Sequence, residues 1–398
     1  MNNAILAKAA LYLDDCKQFL KDIIAIKSVS SEEKAVVERI AEEMQKVGFD
    51  EVKIDGFGNV LGRVGNGPRV IAMDAHIDTV DVGDPEMWAT DPFGPVEKDG
   101  IIYGRGASDQ KGGMAGMVYG AKIMKELNLL GEFSVWIVGS IQEEDCDGLC
   151  WQYIIKEKVL DPEVVVITEP TNLNLYRGHR GRMEMEVETG GLSCHGSDPT
   201  RGDNAITKMA DIIKDIDALN KRLEPTPFLG KGTVAVTHIR SVSPSLCAVP
   251  DTAIIHLDRR LTEGEDEKLA VAQIEALPSV QRAQAKVRVL VYDTPSYKGT
   301  VYPTRKVYPT WTLPEDHKAV QAGVAAGEIA LGRKPFVDKW VFSTNGIATA
   351  GMFNIPTIGF GPANEVYAHS PMDQIPVEHL EKVMAFYAAF VKTYGEAR

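Results

Sequence analysis

An α/β fold is what the sequence predicts: a mainly parallel sheet sandwiched by helices and interrupted by an inserted α+β unit. Three observations carry it. Several strand-like runs are too uniformly apolar to face water on one side. A long helical segment separates two of them, and strand, helix, strand is the order that builds parallel sheets. After Arg182 the pattern becomes β-α-β-β-α-β, which forms a small open sheet with helices on one face.

A helix is expected over roughly residues 4 to 25, and Ser30-Ser31-Glu32-Glu33 signals the start of another that ends near Gly48. Val52 to Ile54, Val60 to Val64, Val70 to Met73, Phe133 to Gly139 and Val164 to Thr168 are short, β-branched and strand-like. Between the third and fourth of these, Gly112 to Leu127 reads as a buried helix rich in small residues. The insert then runs through a strand (Met183 to Glu188), a helix (Ala205 to Leu219) and two strands (Thr233 to Ile239, Ala253 to Leu261), and ends with a helix (Glu265 to Leu277) and a strand (Lys286 to Val291). Pro295, Pro303 and Pro309 mark a loop-rich return, followed by a helix from Glu315 to Leu331, a strand from Thr357 to Phe360 and a last helix from Val377 to Tyr394. Residues 1–182 and 293–398 are thus expected to form one discontinuous domain around an insert at 183–292.

A chain of 398 residues with 44% hydrophobic content has room for two substantial cores. Its formal charge of −13, with no Lys/Arg-rich stripe, argues against a nucleic-acid partner and for small-molecule chemistry. Asp14 and Asp15 interrupt the N-terminal apolar stretch, which does not read as a signal peptide, and no run is apolar enough to span a bilayer. Five scattered cysteines, an odd count, suit free thiols in a reducing cytoplasm. Cys146 and Cys150 could contribute to a thiolate metal site, but no second pair or nearby histidine completes a tetrahedral set.

Five signals carry chemistry. His76 and Asp78, two residues apart at the end of an apolar strand, can lie on one side of it; alone, such a pair is more often a solvated turn than a ligand. Asp109 sits in Gly104-Arg105-Gly106-Ala107-Ser108-Asp109-Gln110-Lys111-Gly112-Gly113, where glycines allow a tight turn. A phosphate loop is the rival there, although its glycine spacing is wrong and Asp109 occupies the centre. Glu143 and Glu144 follow a strand and either face water as an acidic loop or are held by a cation. Glu169 ends another strand, and His369 lies in a loop after the strand-like segment through Phe360. Together, His76, Asp109, Glu144, Glu169 and His369 occupy the positions where parallel sheets bind ligands. Two imidazoles and three carboxylates suit a pair of divalent ions, one carboxylate bridging. Glu143 is then left over as a candidate general base.

These motifs resemble the cocatalytic-zinc exopeptidases and deacylases, a family that includes succinyl-diaminopimelate desuccinylase, acetylornithine deacetylase, aminoacylase and glutamate carboxypeptidase. The resemblance spans nearly the whole chain, in order: His76-x-Asp78, Gly106-x-x-Asp109-x-Lys111-Gly112-Gly113, Glu143-Glu144, Glu169-Pro170 and His369. It implies that Asp109 bridges two metals, His76 and Glu169 binding one and Glu144 and His369 the other, with Asp78 orienting His76 and Glu143 as base. It also implies a cis peptide between Asp109 and Gln110, and a lid and dimerisation role for the insert. Within the insert, Gly190 to Pro199 and Gly202 to Ile206 resemble the family's lid motif, whose histidine, here His195, reaches the partner subunit's site and steadies the oxyanion. On chemistry alone His195 could be a turn residue. Asp258-Arg259-Arg260 resembles an Asp-x-Arg whose arginine binds a substrate carboxylate; a surface Arg260 is the alternative.

Two positions depart from the family pattern. Cys247 stands where an asparagine usually precedes the Val249-Pro250-Asp251 turn, and Ser343-Thr344-Asn345-Gly346 replaces the Thr-Asp-Ala that many members carry. Both lie near substrate in the family, so Asn345 joins Arg260 as a candidate substrate contact. The departures are similar to those of a bacterial branch described as selenium-metabolism hydrolases. The expected activity is a metal-dependent hydrolase of an amide bond in a small N-acyl amino acid or related compound. It would work as a homodimer with two divalent ions, zinc first and cobalt or manganese as alternatives. Dipeptidase, exopeptidase and carbamoyl-amide hydrolase are the rivals within enzymes, and a metal-holding binding protein the rival outside them.

Overall fold

Apolar runs become the buried middle of a nine-stranded sheet in the computed structural model, which describes residues 1–397. Phe133–Ser140, Arg69–His76, Val164–Ile167 and Thr357–Gly359 lie side by side and parallel. Every residue of Phe133–Ser140 and Val164–Ile167 is buried, so both faces of these strands are covered. The flanks are antiparallel: Glu51–Ile54 and Val60–Val64 on one side, Leu175–His179 and Trp311–Thr312 on the other. One further parallel pair lies at the flank, where Val337–Trp340 runs beside Leu175–His179; each parallel pair is joined by a connection long enough to hold a crossover.

Helix Gly112–Glu126 packs against Arg69–His76, Phe133–Ser140 and the last helix, Val377–Glu396. Its small residues permit this: a Cβ on Gly116 would come within 2.6 Å of the Val383 side chain, and one on Gly120 within 3.1 Å of Tyr387, both on the last helix. The first expected helix is in fact two, Asn2–Leu11 and Leu13–Ile24, because the backbone leaves helical dihedrals at Tyr12 (φ −95°, ψ 5°). Tyr12 donates its hydroxyl to Glu126 at 2.6 Å. Leu175–His179, Val337–Trp340, Trp311–Thr312 and the helix Leu149–Lys156 had no clear periodic signal; the strands hold their apolar residues through pairing rather than through a long run.

The insert forms a separate antiparallel sheet in the order Thr233–Val242, Thr252–Leu261, Gly181–Gly190, Lys286–Val289. Met183, Met185 and Val187 face a second core with Ile212, Ile255 and Leu257, under helices Ala205–Arg222 and Glu267–Glu275. Alternation sends Arg182, Glu184, Glu186 and Glu188 to the opposite face. Asn204 caps the first of these helices, accepting from the N–H groups of Ile206 (2.9 Å) and Thr207 (3.3 Å). Val307–Tyr308, from the returning segment, adds to this sheet beside Met183 and Arg182. Among the described residues no helix is long and apolar enough to cross a membrane.

Candidate metal centre

Parallel strands that end together bring their following loops together. His76 is opposite Ser140 in register, so the end of one strand adjoins the start of the loop bearing Glu143 and Glu144. Glu169 lies two residues beyond Ile167 on the next strand. His369 and Asp109 arrive from loops at the same edge.

Asp109 turns one oxygen to each imidazole: Oδ1 is 2.8 Å from His76 Nε2 and Oδ2 is 3.3 Å from His369 Nε2. Glu169 Oε1 is 3.6 Å from His76 Nε2, and Glu144 Oε2 is 2.9 Å from His369 Nε2. Glu143 Oε2 stands 4.0 Å from His76 Nε2. All of these but the half-exposed His369 are nearly or fully buried, in a cavity of about 280 Å³ whose wall also includes Asp147, Arg182, Arg260, Phe342, Ser343 and Ala368.

Buried carboxylates hold these loops. Asp373 accepts from Gly106 N–H (2.7 Å), Ser108 N–H (2.8 Å) and Ser108 Oγ (2.7 Å), tying the Asp109 turn to the loop of His369. Gly106 has φ +86°, which only glycine adopts freely. The Asp109–Gln110 peptide is cis, as expected. Asp78 meets more than His76. The His76 Nδ1 hydrogen bond goes to the Asp78 backbone carbonyl at 2.9 Å, with the carboxylate 3.6 Å away. That carboxylate instead accepts from the N–H groups of Glu143 (3.2 Å) and Glu144 (3.1 Å) and from Ser30 Oγ (2.7 Å). It therefore holds the paired glutamates as well as the strand end beside His76.

The electrostatics call for cations. Burial pushes the Glu143 and Glu169 carboxyls well above their usual range, and burial with the neighbouring Asp109 raises Glu144. Burial works against a charged His76, but Glu169, Asp109, Asp78 and Glu143 outweigh it and raise its pKa well above normal. Hydrogen bonds to Asp109 and Glu144 push His369 up to about 10. Glu143 Oε1 and Glu169 Oε2 are buried with no hydrogen-bond partner. Ligand atoms of His76, Glu143 and Glu169, and of His76, Asp109 and Glu144, lie within 4.8 Å of one another. Crowded carboxylates, unpartnered oxygens and imidazole nitrogens fit divalent ions.

The remaining candidates divide. Arg260 lines the cavity and is gripped by Asp258, from Nε to Oδ1 at 2.8 Å and from Nη2 to Oδ2 at 3.0 Å. His195 is exposed on the insert, outside the cavity wall, and its Nδ1 accepts from Ser197 N–H at 3.1 Å. Asn345, expected to touch substrate, lies outside the residues that line the cavity. It is 1% exposed, and its amide is spent on Asp74 and Ser140 while its oxygen accepts from Gly148 N–H at 2.9 Å. The sequence reading also missed Arg182, Asp147 and Asp373. Asp373 follows His369 by four residues in the same loop, whereas Arg182 carries no local signal beyond its alternation with the buried Met183.

Residues 72–393 match Peptidase family M20/M25/M40. Over 385 residues the chain is 53% identical to uncharacterized protein YgeY of Escherichia coli (strain K12), covering 97% of this chain and 96% of that one. It is 30% identical over 410 residues to a protein named probable succinyl-diaminopimelate desuccinylase from Staphylococcus aureus (strain MSSA476), covering 96% of each. Among solved structures, the dipeptidase Dug1p from Saccharomyces cerevisiae shares the fold with a TM-score of 0.75 at 15% identity, over 100% of this chain and 99% of that one.

Proposed function

The chain belongs to peptidase family M20/M25/M40, a family of metallohydrolases, and on that footing we propose that it cleaves an amide bond in a small N-acyl amino acid or related compound. The split of the two Asp109 oxygens between His76 and His369, with Glu143 alongside, is the observation that carries this reading. Asp109 would bridge two divalent ions, His76 and Glu169 holding one and Glu144 and His369 the other. Zinc is the first expectation, with cobalt or manganese as alternatives. Bound there, the ions would supply an acidified water and polarise the substrate carbonyl.

The chain's own residues do the rest. Glu143, its Oε1 free of any partner and its pKa raised by burial, is suited to take a proton and return it to the leaving amine. Asp78 keeps Glu143 and Glu144 in register through their backbone N–H groups. His195, exposed on the insert, would serve the site of a second subunit by steadying the developing oxyanion, with the insert as lid and dimer contact. Residues 1–182 and 293–398 act in this reading as the metal-binding domain and 183–292 as the lid. The scattered cysteines favour a cytoplasmic setting.

The test is a panel of N-acyl amino acids, dipeptides and N-carbamoyl amino acids offered to metal-reconstituted protein, with release of free acid, amino acid or ammonia measured. Release of acid with amino acid supports deacylation, two amino acids a dipeptidase, and ammonia a carbamoyl-amide hydrolase. A metal-loaded protein inert to the whole panel would point to a binding protein.

A further inference from the structure

A second cavity, of about 550 Å³, lies where the insert meets the rest of the chain, and it shares no wall residue with the cavity of the candidate metal ligands. Its wall is drawn from helix Leu149–Lys156 (Gln152 and Lys156), from the insert (Leu261 and Glu265 to Glu267), and from the returning segment and Met352. The volume is that of a small-molecule site, and Leu261, Val307, Pro309 and Met352 give it an apolar lining. The carboxylates on the wall are already matched. Arg259 Nη2 donates to Glu265 at 2.6 Å, and Arg305 holds Glu267 with bonds of 3.1 Å and 2.5 Å. Asp266 caps helix Glu267–Glu275, accepting from Leu269 N–H at 2.8 Å. Gln152 and Lys156 are not matched in this way. Lys156 Nζ donates to the neutral Oε1 of Gln152 at 3.2 Å, which fixes the orientation of that amide and leaves Nε2 over. Gln152 is 5% exposed, and among the described residues its Nε2 is buried with no acceptor. A buried donor left unpaired is unfavourable, so this wall is built to receive an acceptor.

We propose that this cavity binds a small aliphatic carboxylic acid. Its carboxylate would accept from Gln152 Nε2 and meet Lys156 Nζ, while its apolar body lies against Leu261, Val307, Pro309 and Met352. An ionised acceptor is favoured over a neutral carbonyl because charge-assisted hydrogen bonds are the stronger ones and because it supplies Lys156 with a counter-charge. The acidic residues do not oppose it, since Arg259, Arg305 and the helix N-terminus accompany them. An amine is the wrong ligand: its ammonium would face Lys156 and leave Nε2 unpaired. The wall draws on both the insert and the helix that follows the loop of Glu143 to Asp147, so a bound acid joins the two from outside the metal cavity. The site does not depend on the hydrolase reading.

The test is nuclear magnetic resonance on metal-loaded protein, isotope-labelled at the methionine methyl groups, with isovalerate and its uncharged analogue isovaleramide as probes. Met352 is on this wall and not on that of the metal cavity. Its resonance, identified by its loss in Met352→Leu, therefore separates binding here from binding at the metals. Isovalerate is expected to shift that resonance saturably and to bind about tenfold more tightly than isovaleramide. Lys156→Met, at an exposed position, should remove the preference for the acid. Gln152→Leu should weaken the acid by a similar factor, and Lys156→Met serves alone if that variant does not fold. An unmoved Met352 resonance, equal affinities for acid and amide, or an acid affinity unchanged by either substitution overturns the site. Failure of the hydrolase reading would appear instead as absence of turnover across the substrate panel and would leave this binding untouched.

Discussion

The side-chain amide of Asn345 donates to the Asp74 carboxylate at 2.8 Å, deep beneath the candidate metal centre. The same nitrogen reaches Ser140 Oγ at 3.0 Å, and the amide oxygen accepts from Gly148 N–H at 2.9 Å and Cys150 Sγ at 3.3 Å. One residue so ties the strand of His76, the strand that leads to Glu143 and the loop of Asp147. Asp74 is fully buried, and burial pushes its carboxyl up to about 6 despite this donor. A second carboxylate at position 345 would face it with no positive partner. This accounts for asparagine rather than aspartate at position 345.

Asn345→Asp should therefore destabilise the fold by about 3 kcal/mol, since a donor to a buried carboxylate becomes an acceptor. Chemical denaturation at pH 7 measures it. Adding Asp74→Asn should recover part of the loss by reversing the hydrogen bond, and equal stability of Asn345→Asp and the unaltered protein would refute the account.

Removing the proposed base should separate metal binding from turnover. Glu143→Ala is expected to keep two bound metal ions per chain by elemental analysis, because Asp109, His76, Glu144, Glu169 and His369 are untouched. Turnover should fall by about 10²- to 10⁴-fold. Unchanged kinetics would remove Glu143 from the chemistry.

Sharing of His195 between subunits can be read from mixed dimers. His195→Ala and Glu143→Ala proteins, each nearly inactive alone, should regain part of the activity after co-refolding, because one site of each mixed dimer has both groups. No recovery in dimers shown to be mixed would confine His195 to its own chain or to a surface role.

Acid sensitivity should centre on His179. Burial pushes its pKa down to about 4, and the neutral ring accepts at Nε2 from Trp311 Nε1 (2.8 Å) and Thr344 N–H (3.1 Å) while Nδ1 donates to the Arg180 carbonyl (2.8 Å). The folded value lies below the unfolded one, so the unfolded chain takes up the proton first. Stability is then complete above about pH 6.5 and declines as pH falls towards 4, by about 3 kcal/mol in all. Denaturation midpoints of His179→Gln should fall less steeply over that window; parallel slopes would count against the assignment.

Much of the fold was legible because strands and helices announce themselves through local periodicity. Val164 to Ile167 reads as a two-face-buried strand from four residues, and Gly112 to Glu126 as a close-packed helix from its small residues. Leu175–His179 escaped because Arg177 and Gly178 interrupt its apolar pattern, and Trp311–Thr312 because two residues have no period. The split at Tyr12 escaped as well, since the partner that meets its hydroxyl, Glu126, is 114 residues away.

By itself the sequence determined which side chains could do chemistry and that they stand at strand ends, since residue type and short-range spacing suffice for that. Tertiary structure alone decided what surrounds them. Asp78 turned out to hold the Glu143 and Glu144 backbone, Asn345 to be sealed beneath the site, and Arg182 to face Arg260 across a strand pair. Each of these depends on contacts between segments tens to hundreds of residues apart, and a short-range pattern carries no information about which distant donor will meet a buried acceptor.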